Sequence, residues 1–405
     1  MVTVFRLLIV LICAACLFAQ QPIDKAWQLV RSGQREEAMQ VLTGILRSNP
    51  RDVDARLLYG SLLMEAGKQQ QSISQLEEAV ALRPKSAEAQ NALGEAYNRF
   101  GETEPAERAF KAAVSLNPRF AVAQTNLGLV LLQEGKPDQA ALHLDEALRI
   151  FGKNPDASYP HYLRAKVYSA QNKPKEAEKE LAAAVALKPD FAEAWSDLGQ
   201  ARKQNLNSAG ALAAFDRAVK ANPNDAVAQY RLGAEYLRQG KPHQAVEHLE
   251  RSYRIEPKNQ STLNSLQAAL RRDGKTEEAN KIRQELAQLL RDQDKANQNA
   301  LMATKVNNEG AALEKAGDLR GAVEKYREAV SLNPNHVGMR VNYAIALLRL
   351  GQWTEGLNQL HTALKMNPHD AQLQAAMRDA LSQAPKALVP DWHDEWSASA
   401  HPESR

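Results

Sequence analysis

Cysteine is almost missing from this 405-residue chain: the only two, Cys13 and Cys16, lie among the first 19 residues. The remainder therefore has no disulfide staple, no thiolate metal site and no cysteine nucleophile. Aromatic residues make up 6% of the chain and the formal net charge is only +3. That balance argues against a nucleic-acid domain, which usually concentrates Lys and Arg on one face. No GxSxG elbow, P-loop or glycine-rich strand-to-helix turn occurs, so the common nucleophile and phosphate-cradle motifs are lacking. Long apolar runs are missing too, apart from one near the start.

That run, Leu7 to Ala19 behind Arg6, is shorter than the ~20 residues that span a bilayer. It fits a cleavable export signal over residues 1–19, which leaves no integral membrane span in the mature chain. A membrane anchor is the alternative. A second is lipidation at Cys16, after Cys13-Ala14-Ala15, although Cys13 stands where such a site usually has Leu. An exported chain is periplasmic or extracellular, with tethering through Cys16 as a variant.

What the sequence does have is Ala, Leu, Gln and Glu in abundance, a composition that favours helices over strands. Proline recurs at 50, 84 and 118, then at 155, 189, 223 and 257, and again at 334 and 368. Most steps are 34 residues. Gly60, Gly94, Gly199, Gly233 and Gly310 each stand 24 residues before such a proline. Ala38, Ala106, Ala177, Ala211, Ala245 and Ala322 stand 12 before, and Phe110, Phe215 and Tyr326 stand 8 before. Self-similarity at this period marks an array of helix-turn-helix units. In WSDLGQARKQNLNSAGALAAFDRAVKANP, Trp195, Leu198, Gly199, Ala211, Phe215 and Pro223 stand at regular places, with Arg202 where Tyr is usual. The chain resembles the tetratricopeptide repeat family over roughly residues 23 to 370.

The resemblance implies an all-α, right-handed superhelical solenoid. Gly and Ala let the two helices of a hairpin approach, larger apolar residues fill the space between hairpins, and Pro ends the second helix. Trp195 and Phe215 are thereby expected to be packing residues. Residues 23–293 make about eight repeats, the last degenerate, and 294–302 form a helical or polar joint. Residues 303–384 carry further repeats and a capping helix, and 385–405 form a mobile tail. No Gly or Pro occurs between Lys275 and Glu309, so residues 276–316 are one long helix or two. The fourth unit carries three extra residues in RIFGKNPDASYP.

Candidate chemistry is sparse. His243 and His248 are five apart, about 140° round a helix, whereas a metal pair needs three or four. They are expected on the solvated surface, and no metal, cofactor or catalytic residue is assigned. Trp392 and Trp396 in DWHDEW suit a docking motif or a tail without partner.

In the family the first helix of each hairpin lines an inner groove that holds extended peptides or helices. Matching positions here are Glu88, Asn91, Glu95, Asn98 and Arg99; Val122, Asn126, Leu129 and Leu132; and Tyr159, Tyr162 and Lys166. Further on come Glu193, Asp197, Gln200 and Lys203, then Val227, Tyr230, Arg231, Leu237 and Arg238. Asn91, Asn126, Tyr159, Tyr162, Tyr230, Arg231 and Arg238 are the partner-binding candidates. Arg231 occupies one place of the family's carboxylate clamp, but Val227 stands where its Lys would be, which argues against that clamp. The expected function is a non-enzymatic exported scaffold for a protein or extended peptide. An accessory subunit of an envelope enzyme, polysaccharide or outer-membrane assembly machine is the alternative.

Overall fold

A computed structural model describes residues 23–368 and 370–390. The export segment, Cys16, Trp392 and Trp396 lie outside the described residues. Among the described residues every regular element is helical. The first hairpin pairs α1 (23–31) with α2 (Arg35–Ser48). Next come α3 (Val53–Glu65) with α4 (Gln69–Leu82), α5 (Ala87–Arg99) with α6 (Thr103–Leu116), and α7 (Ala121–Gln133) with α8 (Pro137–Phe151). A 3-10 turn, Pro155–Ala157, precedes α9 (Ser158–Ala170) and α10 (Pro174–Leu187). Then follow α11 (Ala192–Gln204) with α12 (Ser208–Ala221), α13 (Ala226–Arg238) with α14 (Pro242–Ile255), and α15 (Gln260–Arg272). A single helix, α16 (Thr276–Lys315), spans the stretch without Gly or Pro, and α17 (Leu319–Leu332), α18 (Val337–Arg349), α19 (Trp353–Met366) and α20 (Ala371–Gln383) complete the order. The chain divides into two compact units between Ala279 and Asn280.

The periodic glycines mark where two helices of one hairpin touch. A Cβ built on Gly199 would lie 2.4 Å from the Phe215 ring, and one on Gly94 would lie 2.7 Å from Phe110. Each ring is buried, and each also joins the next hairpin. Phe110 packs with Leu127 and Leu131 of α7 and Leu144 of α8. Burying such a side chain contributes roughly 1.5–3 kcal/mol, and only a stacked neighbour supplies that burial. The turn inside each hairpin needs a left-handed residue. Gly67, Gly101, Gly240 and Gly274 meet it with φ between 71° and 82°, while Asn172 (56°) and Leu206 (62°) stand at that place in two other hairpins.

The prolines have a second role that the period alone does not reveal. Six residues after each of several, a side-chain N–H returns to the proline carbonyl. Trp195 Nε1 donates to Pro189 O at 2.9 Å, and the Nε2 groups of Gln124 and Gln229 donate to Pro118 O and Pro223 O, both at 2.9 Å. Arg56 and Arg340 do the same through Nη2 at 2.6 and 2.7 Å. Trp, Gln and Arg share little as packing residues; they share a donor of sufficient reach. Trp195 is thus more than the packing residue expected from the sequence. It ties the exposed Pro189 carbonyl of the turn back to the first helix, a hydrogen bond of the kind that contributes about 0.5–1.5 kcal/mol.

The same side chains reach forward 19 residues to the second helix. Gln124 Oε1 meets His143 Nδ1 at 2.7 Å and Gln229 Oε1 meets His248 Nδ1 at 2.9 Å. His248 is half-buried and stacks on Tyr236 at 5.6 Å, which corrects the expectation of a solvated histidine. His243 is exposed and faces Asp273 at 3.4 Å. Burial lowers the imidazole pKa of both His143 and His248.

Candidate functional site

The three extra residues of the fourth unit reshape one turn. Helix α8 runs on to Phe151 and stops at Gly152, whose φ is +58°. Asn154 then accepts a hydrogen bond from the Asp156 N–H at 2.9 Å, fixing the Pro155–Ala157 turn. That turn walls a cavity of about 470 Å³. Val122 and Asn126 of α7 form one side, Tyr159 and Pro160 of α9 another, and Leu187 and Lys188 close it from the end of α10.

Tyr159 opens from this cavity onto an aromatic cluster. Its ring lies 6.2 Å from that of Tyr162, nearly parallel at 23°, and Phe191 sits 5.0 Å from Tyr162 and 6.5 Å from Tyr159. Two lysines rest against the cluster: Lys166 Nζ is 5.1 Å from the Tyr162 centroid and Lys188 Nζ is 5.2 Å from that of Phe191. Burial raises the phenol pKa of both tyrosines, so they remain neutral hydrogen-bond donors at physiological pH. Beyond Tyr162, Asp197 is held between Lys166 at 2.5 Å and Arg231 at 2.9 Å. Burial on its own would raise the Asp197 carboxyl pKa, but Lys166 and Arg231 outweigh it and hold the group below the usual carboxylate range. Lys166 shows the mirror effect: burial opposes its charge, and Asp197 restores and raises its pKa.

The local sequence gives up stability at this place. The residue preceding a first helix caps it in α3, α5, α13 and α15, where Asp52, Ser86, Asp225 and Asn259 accept a backbone N–H. In the three successive first helices α7, α9 and α11 that position holds Phe120, Ala157 and Phe191, and none caps through its side chain. Each lost cap costs about 0.5–2 kcal/mol. The first turn of α7, which borders the cavity, therefore keeps amide donors without a side-chain acceptor. Helix α9 instead continues the Pro155–Ala157 turn that Asn154 caps, and its Ser158 N–H is bonded to Pro155 O. Phe191 went unseen in the sequence because it lies one residue before the helix. Its signal was an aromatic side chain where neighbouring turns carry Asp, Ser or Asn.

The candidates divide into those brought together and those already committed. Tyr159 and Tyr162 form the cluster, and Arg231 joins its edge through Asp197. Asn126 Nδ2 donates to Asn91 Oδ1 and Glu95 Oε1, both at 3.0 Å, tying α7 to α5. Asn91 is only 6% exposed, so its polar group serves this junction. Arg238 turns to the buried Glu235 and to Ser208, each at 2.5 Å, and takes no part in the cluster. Tyr230 is half-buried on α13, and Val122 and Val227 are exposed in the first turns of α7 and α13. Leu129 and Leu132 pack on the buried cluster below α7. Among the described residues no three metal-ligating side chains converge, and no helix is long and apolar enough to cross a membrane.

Profiles described as tetratricopeptide repeat match residues 131–202 and 313–380 and, for a second profile, residues 23–75, 99–155 and 196–260. A further TPR repeat profile matches residues 60–101. The chain belongs to the tetratricopeptide repeat family. Its members generally serve as scaffolds for protein or peptide partners. Among curated proteins none matches the chain. This tetratricopeptide repeat protein is similar to several solved structures. With Pseudomonas aeruginosa PilF it shares 18% identity and a TM-score of 0.49, over 53% of this chain and 98% of that one. A tetratricopeptide repeat protein from Parabacteroides merdae gives 17% and 0.48, over 62% and 98%. One from Thermus thermophilus gives 24% and 0.39, over 45% and 98%.

Proposed function

We propose that this protein is a non-catalytic scaffold that holds a protein or extended peptide against the face formed by α7, α9, α11 and α13. The observation that carries the proposal is the coincidence, in one place, of the inserted turn, the cavity, the Tyr159–Tyr162–Phe191 cluster and the uncapped first helices α7 and α11. Aromatic and Arg side chains carry most interface energy, and tyrosines with an apolar body and a neutral hydroxyl suit a peptide surface. We further infer export, from Arg6 and the apolar run Leu7 to Ala19. A mature amino terminus near Gln20 in extracytoplasmic protein supports it, and an intact Met1 in cytosolic protein contradicts it.

The choice of variant matters for the test. Tyr162 packs against two buried clusters, and removing Arg231 leaves Asp197 with one cation, so both truncations disturb the array itself. Tyr159 is 40% exposed and lies at the cavity mouth. Capture of a defined partner by Tyr159→Ala and Tyr230→Ala is to be compared with wild type, alongside melting temperature. Loss of capture at unchanged melting temperature supports the groove; retained capture in both variants removes it.

A further inference from the structure

The groove can be given a ligand chemistry, which rests on the scaffold reading above. Three cations border the aromatic cluster, and their pairing is incomplete. Lys188 is exposed at the cavity rim and has no carboxylate partner among the described residues. Lys166 and Arg231 share the single carboxylate of Asp197. Arg231 makes its bonds to Asp197 and Ser196 through Nη1 alone, which leaves its Nη2 and Nε hydrogens for a further acceptor. The uncapped first turn of α7 adds the positive end of its helix dipole at the cavity. The cavity wall itself contains Asp156. A second carboxylate inside is disfavoured there, whereas Val122, Tyr159 and Leu187 accept an uncharged side chain.

We propose that the site recognises an acidic extended segment with one large apolar anchor: the anchor enters the cavity beside Tyr159, and carboxylates follow toward Lys188 and the Lys166–Arg231 pair. The spacing follows from the geometry. Tyr159 lies 6.2 Å from Tyr162 and Lys166 Nζ 5.1 Å from the same ring, so at most about 11 Å separates the Tyr159 ring from Lys166 Nζ, a distance that three or four residues of extended chain at ~3.3 Å each can span. A basic peptide of the same shape meets two lysines and an arginine and is rejected.

Three blocked peptides test this with the full chain by titration calorimetry at low ionic strength: acetyl-GWGGDEG-amide, its lysine counterpart GWGGKKG and its anchorless counterpart GAGGDEG. The expected result is binding of GWGGDEG at least about tenfold tighter than either counterpart. Lys188→Glu, at an exposed position, should weaken GWGGDEG by roughly five- to tenfold and favour GWGGKKG. Tyr159→Ala should weaken GWGGDEG comparably, with helicity by circular dichroism unchanged in both variants. Equal or tighter binding of GWGGKKG overturns the acidic assignment, and if Tyr159→Ala abolishes that binding, the groove itself still stands. Binding of GWGGDEG that ignores both substitutions overturns the acidic assignment and the groove together. Absence of heat for all three overturns the acidic-anchor assignment and leaves the groove to the capture comparison above.

Discussion

The contact between Gly199 and Phe215 gives a substitution whose effect should change sign with its surroundings. An added Cβ at Gly199 lies 2.4 and 2.5 Å from two Phe215 ring carbons, where non-bonded carbons rest near ~3.5–4.0 Å. The ring has to retreat by more than about 1 Å, yet Phe215 is 1% exposed and confined by Ala211, Ala218 and Leu232. Overpacking of this kind costs about 1–3 kcal/mol, against a gain of about 1 kcal/mol from replacing Gly by Ala within a helix. Gly199→Ala should therefore be neutral to destabilising by up to about 2 kcal/mol. Phe215→Ala alone should cost about 3–5 kcal/mol. In that second background the ring is gone, and Gly199→Ala should become stabilising by up to about 1 kcal/mol. Urea unfolding followed by circular dichroism on the four proteins measures the cycle. An effect of Gly199→Ala that is the same in both backgrounds refutes the close-approach account of the periodic glycines.

The proline-carbonyl bonds predict that donor chemistry, more than shape, matters at the positions six residues on where such a bond forms. Gln229→Leu should cost about 1–3 kcal/mol, since Gln229 is fully buried between Pro223 O and His248, while Gln229→Arg should lose less; equal losses by urea midpoint contradict the prediction. The lowered imidazole pKa of His143 and His248 fixes a pH dependence. A base whose folded pKa lies below its unfolded value of about 6.5 contributes stability fully above that pH and loses it as pH falls below it. Melting temperature should decline from about pH 7 to about pH 5, and the decline should be shallower in His143→Asn. For Asp197 the folded carboxyl is depressed, so its contribution is complete above about pH 4 and disappears as pH falls through the lower folded value. Asp197→Asn should consequently flatten only the acid limb of the stability curve.

The array was legible in the sequence because its period is written in residues with sharp backbone or steric roles. Pro50, Pro84 and Pro118 end helices, and Gly94 and Gly199 permit contacts that no side chain allows. The hydrogen-bonding logic was less legible, since Trp195, Gln229 and Arg340 perform one task with dissimilar side chains. At the candidate site, family positions located Tyr159, Tyr162 and Arg231, which the structure gathers. They also selected Asn91, Asn126 and Arg238, whose polar groups are engaged by neighbouring helices. Spacing assigns a residue to a helix face; it does not say whether Glu95 or Glu235 is already there to engage it. Phe191 and the cavity were missed for a related reason. Both belong to turns, where the decisive clue was a capping residue exchanged for an aromatic one.

The most direct test of the groove is a site-specific crosslink. A photo-reactive phenylalanine analogue is placed at position 159 in one chain and, in another, at position 206, where Leu206 is 90% exposed on an inter-helix turn away from the cluster. Each is irradiated with the partner captured by the wild-type chain, and the adducts are mapped by mass spectrometry. Crosslinks from position 159 to an extended partner segment, with none from position 206, are the predicted result. Crosslinks from position 206 and none from 159 would place the partner elsewhere and contradict the central claim.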